Sequence, residues 1–327
     1  MFLLLLTPSL ALGQGLTGSL VGVVTDNTGA VIPGANIEAL NENTGATATT
    51  QTSADGSYEF PLLRPAPYKI TATAEGFRTL ERTGLMVRST ETLRADLTLE
   101  LGVVSEIVTV SEAAPLLQTD QPTLGHVIEE DTITAIPLAT RNFTQILGTS
   151  PGVVGSVMNA DRQGTGSDSV SVNGARRGSN NVLVDGVPTS NQLNNAPDGD
   201  GTPSIEFLSE FKVLTSLYSA EFGRNQGSVI NVTTRSGTNE FHGTAYEFLR
   251  NTKLNARPFF FPEKQANIQN QFGGNIGGPI VKNKTFFFYG MEYSRQRNGN
   301  GSGARFLAQV PDAAERQGVF SSTLYDP

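Results

Sequence analysis

The sequence predicts a mainly β protein: an all-β sandwich, then an α+β domain, then the opening strands of a transmembrane antiparallel β-barrel. Three observations carry this prediction. Short β-prone runs separated by Gly, Pro, Asn and Asp turns fill residues 19–101. The mid-chain stretch SVSVNGARRGSNNVLVDGVP, residues 169–188, alternates apolar and polar residues on either side of a polar turn. From residue 243 onward, segments of about ten residues alternate apolar with small or polar side chains, the length and pattern a bilayer-spanning strand needs.

Composition removes several function classes. The chain has 327 residues, room for two or three domains, and no cysteine, which excludes disulfides, thiolate nucleophiles and Cys-ligated metals. Residues 1–140 hold 6 Lys+Arg against 16 Asp+Glu, and the remainder 17 against 15. An acidic first part and a near-neutral second part lack the basic face that nucleic acid requires. The opening MFLLLLTPSLALGQG, residues 1–15, is too short for a spanning helix. Its apolar run and the small-residue site at Ala11, Leu12 and Gly13 read as the end of a secretory leader without a basic region, or as a frayed apolar terminus.

The first domain is expected over residues 17–101. SLVGVVT (19–25), ANIEAL, ATATTQT, SYEFPLL, YKITATA and LRADLTLEL (93–101) are its strands, parted by DNTG, NENTG, ADG and RPAP. Such close, regular spacing indicates a sandwich. Tyr58 and Phe60 share one face at period two, and both, with Tyr68 and Phe77, are assigned to the core. The pattern that runs from Gly22 through Asp26, Pro33-Gly34, Asp55-Gly56, Tyr58 and Tyr68 to Gly76-Phe77 resembles carboxypeptidase regulatory-like domains. That resemblance implies a transthyretin-like sandwich, grouped with carbohydrate-binding-like folds and lacking a catalytic centre.

Residues 102–122 read as a linker. Within VVSEIVTVSEAAPLLQTD, a β-prone run at Ile107, Val108, Thr109 and Val110 is flanked by Glu106 and Glu112 and broken by Pro115. An extended, β-branched segment between domains can add itself to a partner's sheet edge. It can equally be the first strand of the next domain.

Residues 123–236 form the second domain. In IPLATRNFTQILGTSPGV, Phe143, Ile146 and Leu147 fall at helical spacing and are expected to face the core. In residues 169–188, Val170 and Val172 are expected to pair as a strand with Val182 and Val184, the latter ending at the Asp185-Gly186 turn. These motifs, with the SAEFG turn at residues 219–223 and the final strand at 227–234, resemble the plug domain of TonB-dependent outer-membrane receptors of the Oar-like group. Ala139-Thr140 stands where that family has Asn-Gly. The resemblance makes Glu106, Ile107, Val108, Thr109 and Val110 the candidate TonB box. It implies TonB, with ExbB and ExbD, as partners, together with outer-membrane lipid and a small ligand: an iron chelate, a carbohydrate or a peptide. No cofactor is implied. Arg176 and Arg177 are candidate contacts to an anionic ligand, or pair with acidic residues of a barrel wall, the reading a lumen-filling plug favours.

Residues 237–327 carry the barrel strands: GTAYEFLR (243–250), NQFGGNIGGPI (270–280) and TFFFYGMEYS (285–294), with a short VKNK turn and long opposite connectors. Three strands cannot close a barrel, whose smallest form has about eight, so the chain is expected to be the N-terminal part of a longer receptor, with its first domain in the periplasm. Enzymatic chemistry finds no support. His126 and His242 sit in no motif, and the twelfth position counted from Asp198 is Ser209, where a calcium loop needs Glu. A carboxypeptidase zinc site lacks its ligands. The rival reading is a secreted or surface-attached carbohydrate-binding or adhesion protein.

Overall fold

The structure, a computed structural model, describes residues 17–103, 107–111, 123–136, 138, 143–154, 170–176, 179–189, 203–218, 222–223, 226–257, 264 and 266–298. The first domain is made of β1 (Gly18–Asp26), β2 (Asn36–Asn41), β3 (Thr47–Gln51), β4 (Ser57–Leu63), β5 (Ala66–Thr73), β6 (Thr79–Val87), β7 (Thr92–Arg94), β8 (Leu97–Leu99) and β9 (Ile107–Ser111). One sheet has the order β4-β1-β7, with β8 pairing further along β1; the other runs β3-β2-β5-β6-β9. Alternation along β1 and β5 turns every second residue inward, so Leu20, Val24, Ile37, Ile70, Leu85 and Leu97 close the core between the sheets. Each such side chain contributes roughly 1.5–3 kcal/mol. Tyr58, Phe60 and Tyr68 are buried there, and Phe77 packs at the margin. Gly22 is required by close approach, because a Cβ would strike the Ala95 carbonyl and the Tyr58 ring. That ring's hydroxyl donates to the same carbonyl at 2.5 Å.

The second domain contains β10 (Leu124–Glu129), α1 (Glu130–Ala135), a 3-10 segment Phe143–Thr149, β11 (Val153–Val154), β12 (Ser171–Val172), β13 (Asn181–Val184) and β14 (Val187–Pro188). A short 3-10 turn, Ile205–Phe207, then leads into β15 (Leu208–Ser216) and β16 (Val229–Thr234). The main sheet has the order β10-β15-β16-β13-β14, while β11 and β12 form a separate ribbon. This corrects the expected strand pair. β12 pairs with β11, and β13 pairs in parallel with β16 and antiparallel with β14. Val170, Val172 and Val182 do share one core. Alternation assigns a face, not a partner, and the side-chain amide of Asn180 donates to the Val170 carbonyl (2.9 Å) instead of a ladder forming there. Asp185 (φ 49°) and Gly186 (φ 83°) are both left-handed, the requirement of a tight I′ hairpin turn. The Asp185 carboxylate accepts the Thr234 N–H (2.9 Å) and hydroxyl (2.7 Å), fixing the end of β16. Ile146 and Leu147 are buried as the helical spacing required.

The third part is a meander in the order β17 (His242–Arg250), β18 (Asn267–Val281), β19 (Thr285–Asn298). In β18, Gln269, Gln271 and Asn275 are buried while Phe272, Ile276 and Ile280 are 45–66% exposed. In β19, Tyr289, Met291 and Tyr293 are all more than half exposed. An outward apolar and aromatic band backed by amides is the pattern of a lipid-facing strand. Asn283, at φ 60°, makes the tight turn between β18 and β19, where the Lys284 N–H donates to Val281 (3.1 Å). By compactness the described chain divides into a larger unit, through residue 245 with 273–292, and a smaller one, 246–272 with 293–298. No described helix is long and apolar enough to cross a membrane.

Candidate functional site

The candidate coupling residues fall on β9, except Glu106, which lies outside the described residues. β9 runs parallel to β6 in the register Thr79↔Ile107, Leu80↔Val108, Glu81↔Thr109, Arg82↔Val110, Thr83↔Ser111. Val108 turns inward onto the sandwich core, whereas Ile107 and Val110 are 60% and 43% exposed. The expected unpaired linker at residues 102–122 is therefore corrected: 107–111 belong to the sandwich sheet and are bonded along one edge. The reason lies in β6, a strand the sequence pattern conceals. Glu81, Arg82, Thr83 and Gly84 break its apolar alternation, yet β6 pairs with β5 and would leave a bare edge. The first β-branched run after β8 covers that edge.

The sandwich meets the second domain at the turn after β6. Thr90 is left-handed there (φ 54°), which aims the fully buried Ser89 at the outer face of the β15–β16 sheet. The Ser89 hydroxyl and N–H both donate to the Glu210 carboxylate, the latter at 3.2 Å. Lys212, 3% exposed, donates to the carbonyls of Ser89 (3.2 Å) and Thr90 (3.3 Å). Asn231, directly across the ladder from Lys212, donates to the Ser89 hydroxyl (3.1 Å). Arg88 pairs with Glu129 at the rim. Burial raises the Glu210 carboxyl above its ordinary value, opposed by the Ser89 hydrogen bond and the Lys212 cation. Burial lowers the Lys212 ammonium, opposed by Glu91 and Glu210. The opposite face of the same strands carries Phe211, Val213, Ile230 and Val232 into the domain core, so the sheet is covered on both sides.

The start of the same sheet is seated on the meander. The Asn275 side chain donates to the Glu206 carbonyl (3.1 Å), the Ser204 hydroxyl bonds Glu292, and Phe207 meets Phe288 edge-on at 6.3 Å. Gly290 is held to glycine by this approach, since a Cβ there would enter the Phe207 ring. A second, exposed contact joins the sandwich turn after β2 to the meander base. The Asn239 N–H donates to the Asn43 carbonyl (2.9 Å), and the Asn239 amide to Asn283 (2.7 Å).

Arg176 is exposed on the turn after β12, and Arg177 lies outside the described residues. His126 is exposed on β10, and His242 sits on the Glu240 carbonyl (3.1 Å). Asp198 and Asp200 also lie outside the described residues. Among the described residues no cluster of His, Asp or Glu could hold a metal. Sequence reasoning missed Ser89, Glu210, Lys212 and Asn231. The available signal was Glu210 and Lys212 on one face of a strand whose other face is apolar, a charge pair that needs a polar partner once covered.

Residues 19–100 match the Carboxypeptidase regulatory-like domain, 118–229 the TonB-dependent Receptor Plug Domain, and 233–327 an Outer membrane beta barrel domain. The TonB-dependent transporter Oar of Myxococcus xanthus is 31% identical over 278 residues, which are 80% of this chain and 25% of that protein. The chain thus spans about a quarter of this relative's length. Among solved structures, the siderophore receptor PirA of Acinetobacter baumannii aligns with a TM-score of 0.40 at 19% identity, over 53% of this chain and 24% of that one. The dioxygenase domain of a carbohydrate-binding fusion protein from Streptomyces sp. SirexAA-E aligns at 0.23 and 18% identity, over 28% and 84%.

Proposed function

We propose that this chain, which belongs to the TonB-dependent receptors by its regulatory-like, plug and barrel domains, serves energised uptake of a ligand across the outer membrane. The family is one of transport receptors, not of enzymes. The observation that carries the reading is the seating of the plug sheet on barrel strands through Asn275–Glu206, Ser204–Glu292 and Phe207–Phe288. A sheet domain held on the amide-lined side of outward-apolar strands obstructs the lumen and must move for a ligand to pass. In this reading the sandwich lies in the periplasm and the segment Glu106, Ile107, Val108, Thr109 and Val110 couples the plug to TonB, driven through ExbB and ExbD. The ligand is an iron chelate, a carbohydrate or a peptide, and Arg176 and Arg177 are candidate contacts to an anionic one, or pair with acidic residues of the barrel wall.

The test is uptake by the receptor carrying Val108→Pro or Val108→Ala. Proline removes a main-chain donor and fixes φ, so energised uptake should fail while binding at the outer face persists. Alanine keeps the donor and loses only part of one side chain, roughly 1–2 kcal/mol of sandwich packing, and should still transport. Wild-type uptake by the proline variant would place the coupling segment elsewhere.

A further inference from the structure

We infer that β9 is recognised in place, as the edge of a folded five-stranded sheet, and that the partner's strand adds to its outer side without displacing it from β6. The inference rests on the coupling role proposed above and specifies how the partner engages. Among the described residues, β9 ends the order β3-β2-β5-β6-β9 with no strand on its outer side. Edges left open in folded proteins are usually blunted by charge, proline or shortness. Two of the other edges of this sandwich follow that rule, since β4 carries Glu59 and Pro61 and β7 and β8 have three residues each, while β3, TATTQ, is uncharged but polar. β9 presents an uncharged run rich in apolar β-branched residues, IVTVS, with Ile107 and Val110 exposed.

The inner side is already committed. Val108 seats on the sandwich core, and five successive register pairs tie β9 to β6. Stripping the strand would unseat Val108 and leave two sheet edges unpaired; adding a sixth strand outside sacrifices none of this and supplies main-chain partners to the open edge. Glu106 and Glu112 flank the run in sequence, and the chain through residue 140 is strongly acidic. The fitting partner is therefore an extended strand with basic neighbours. The sandwich becomes a rigid handle that keeps the coupling residues extended, so their ordering is not a cost of association.

None of the 327 residues is cysteine, so none of them competes with an engineered pair. Glu81→Cys with Thr109→Cys, register partners on β6 and β9, places one staple between the strands in the full receptor, at a Cα separation disulfides accept. The probe is the soluble periplasmic domain of TonB. Oxidised and reduced receptor should bind it within about twofold of one another. Successive strand residues aim their N–H groups at opposite edges, so Val108→Pro and Thr109→Pro separate the two sides. The proline that leaves the unstapled sandwich's melting unchanged faces outward, and it should weaken binding at least about tenfold, roughly one main-chain hydrogen bond.

Loss of binding on oxidation, restored on reduction, would overturn strand addition and mean that TonB takes the place of β6, while the coupling role stands. Wild-type binding by both proline variants would remove the coupling role itself. Sedimentation of the receptor as a dimer that the outward proline breaks would make a second copy the occupant and overturn the inference.

Discussion

Replacing Lys212 by alanine should loosen the sandwich from the plug while leaving both domains folded. The ammonium is 3% exposed and supplies donors to two carbonyls, Ser89 and Thr90, and its charge opposes that of Glu210. Losing the donors strands two buried acceptors at ~1–3 kcal/mol each, and it also removes the positive charge that opposes the burial of Glu210. These losses overlap because they arise from the same atoms, so the contact should weaken by about 3–5 kcal/mol. At ~1.4 kcal/mol per decade that is roughly a hundredfold to several-thousandfold change in the docking equilibrium. The Ser89 N–H reports on it directly, since it donates to Glu210 only when docked. Hydrogen exchange at Ser89 should accelerate by that factor, while amides of β1 around Leu20 and Val24 keep their protection. The double variant Glu210→Gln with Lys212→Met removes both charges and should cost less than Lys212→Ala alone. Equal acceleration throughout the sandwich would mean that Lys212 stabilises the fold rather than the contact, and unchanged Ser89 exchange would refute the cluster.

Docking should also depend on pH. A carboxyl raised in the folded state, like Glu210, holds more proton there than when released, so docking weakens as pH rises from the ordinary carboxylate range through the raised value. Glu210→Gln should flatten Ser89 exchange across that window. Asp55, held down to about 2 by the Ser53 and Ser57 hydroxyls, acts in a different window: its contribution is present above the ordinary value and is lost as pH falls toward 2, read as acid destabilisation of the sandwich alone. Asp185→Ala removes two acceptors from Thr234 and should destabilise the plug by about 1–3 kcal/mol in denaturant melts, with the sandwich midpoint unchanged. A sandwich of residues 17–111 should melt higher than one of 17–101, because the shorter one leaves β6 bare. Reburying part of Val108 gives ~1 kcal/mol, or about 4–8 °C, and equal midpoints would mean that β9 is a bystander.

The sandwich was legible because its strands alternate strictly: β1 and β5 put an apolar or small residue inward at every second position, and β2 does so until Asn41 at its end. The Asp185-Gly186 turn was legible because few pairs adopt two left-handed residues. The barrel strands were legible from Phe272, Ile276 and Ile280 set against Gln271 and Asn275. β6 was not, because a bulge near Gly84 (φ 82°) and the Glu81–Lys69 ion pair at its surface interrupt the pattern. The partner of Val182 was not, because pairing depends on which strand arrives at the edge, and β16 lies some fifty residues further on. The polar cluster was least legible of all. Lys212 looks like a solvated strand residue until a turn 122 positions earlier in the chain covers it.

That cluster has a consequence for how force would divide in the proposed mechanism. The sandwich holds the plug through Ser89, Glu210, Lys212 and Asn231, all withdrawn from water to a large degree. Among the described residues, it bonds to the base of the barrel strands through Asn43, Asn239 and Asn283, whose hydrogen bonds are exposed. An exposed hydrogen bond exchanges for water at little net cost, whereas a buried charged cluster parts only by stranding its groups. Tension applied at β9 reaches β6 through the parallel ladder and the 88–91 turn through β6 itself. The asparagine contact therefore yields first, and the sandwich leaves the barrel base still attached to the plug. A pull on the coupling strand is then delivered to β15 and β16 in the middle of the plug sheet, next to the Ser204–Phe207 segment that seats the plug on the wall, rather than only to the chain entering β10.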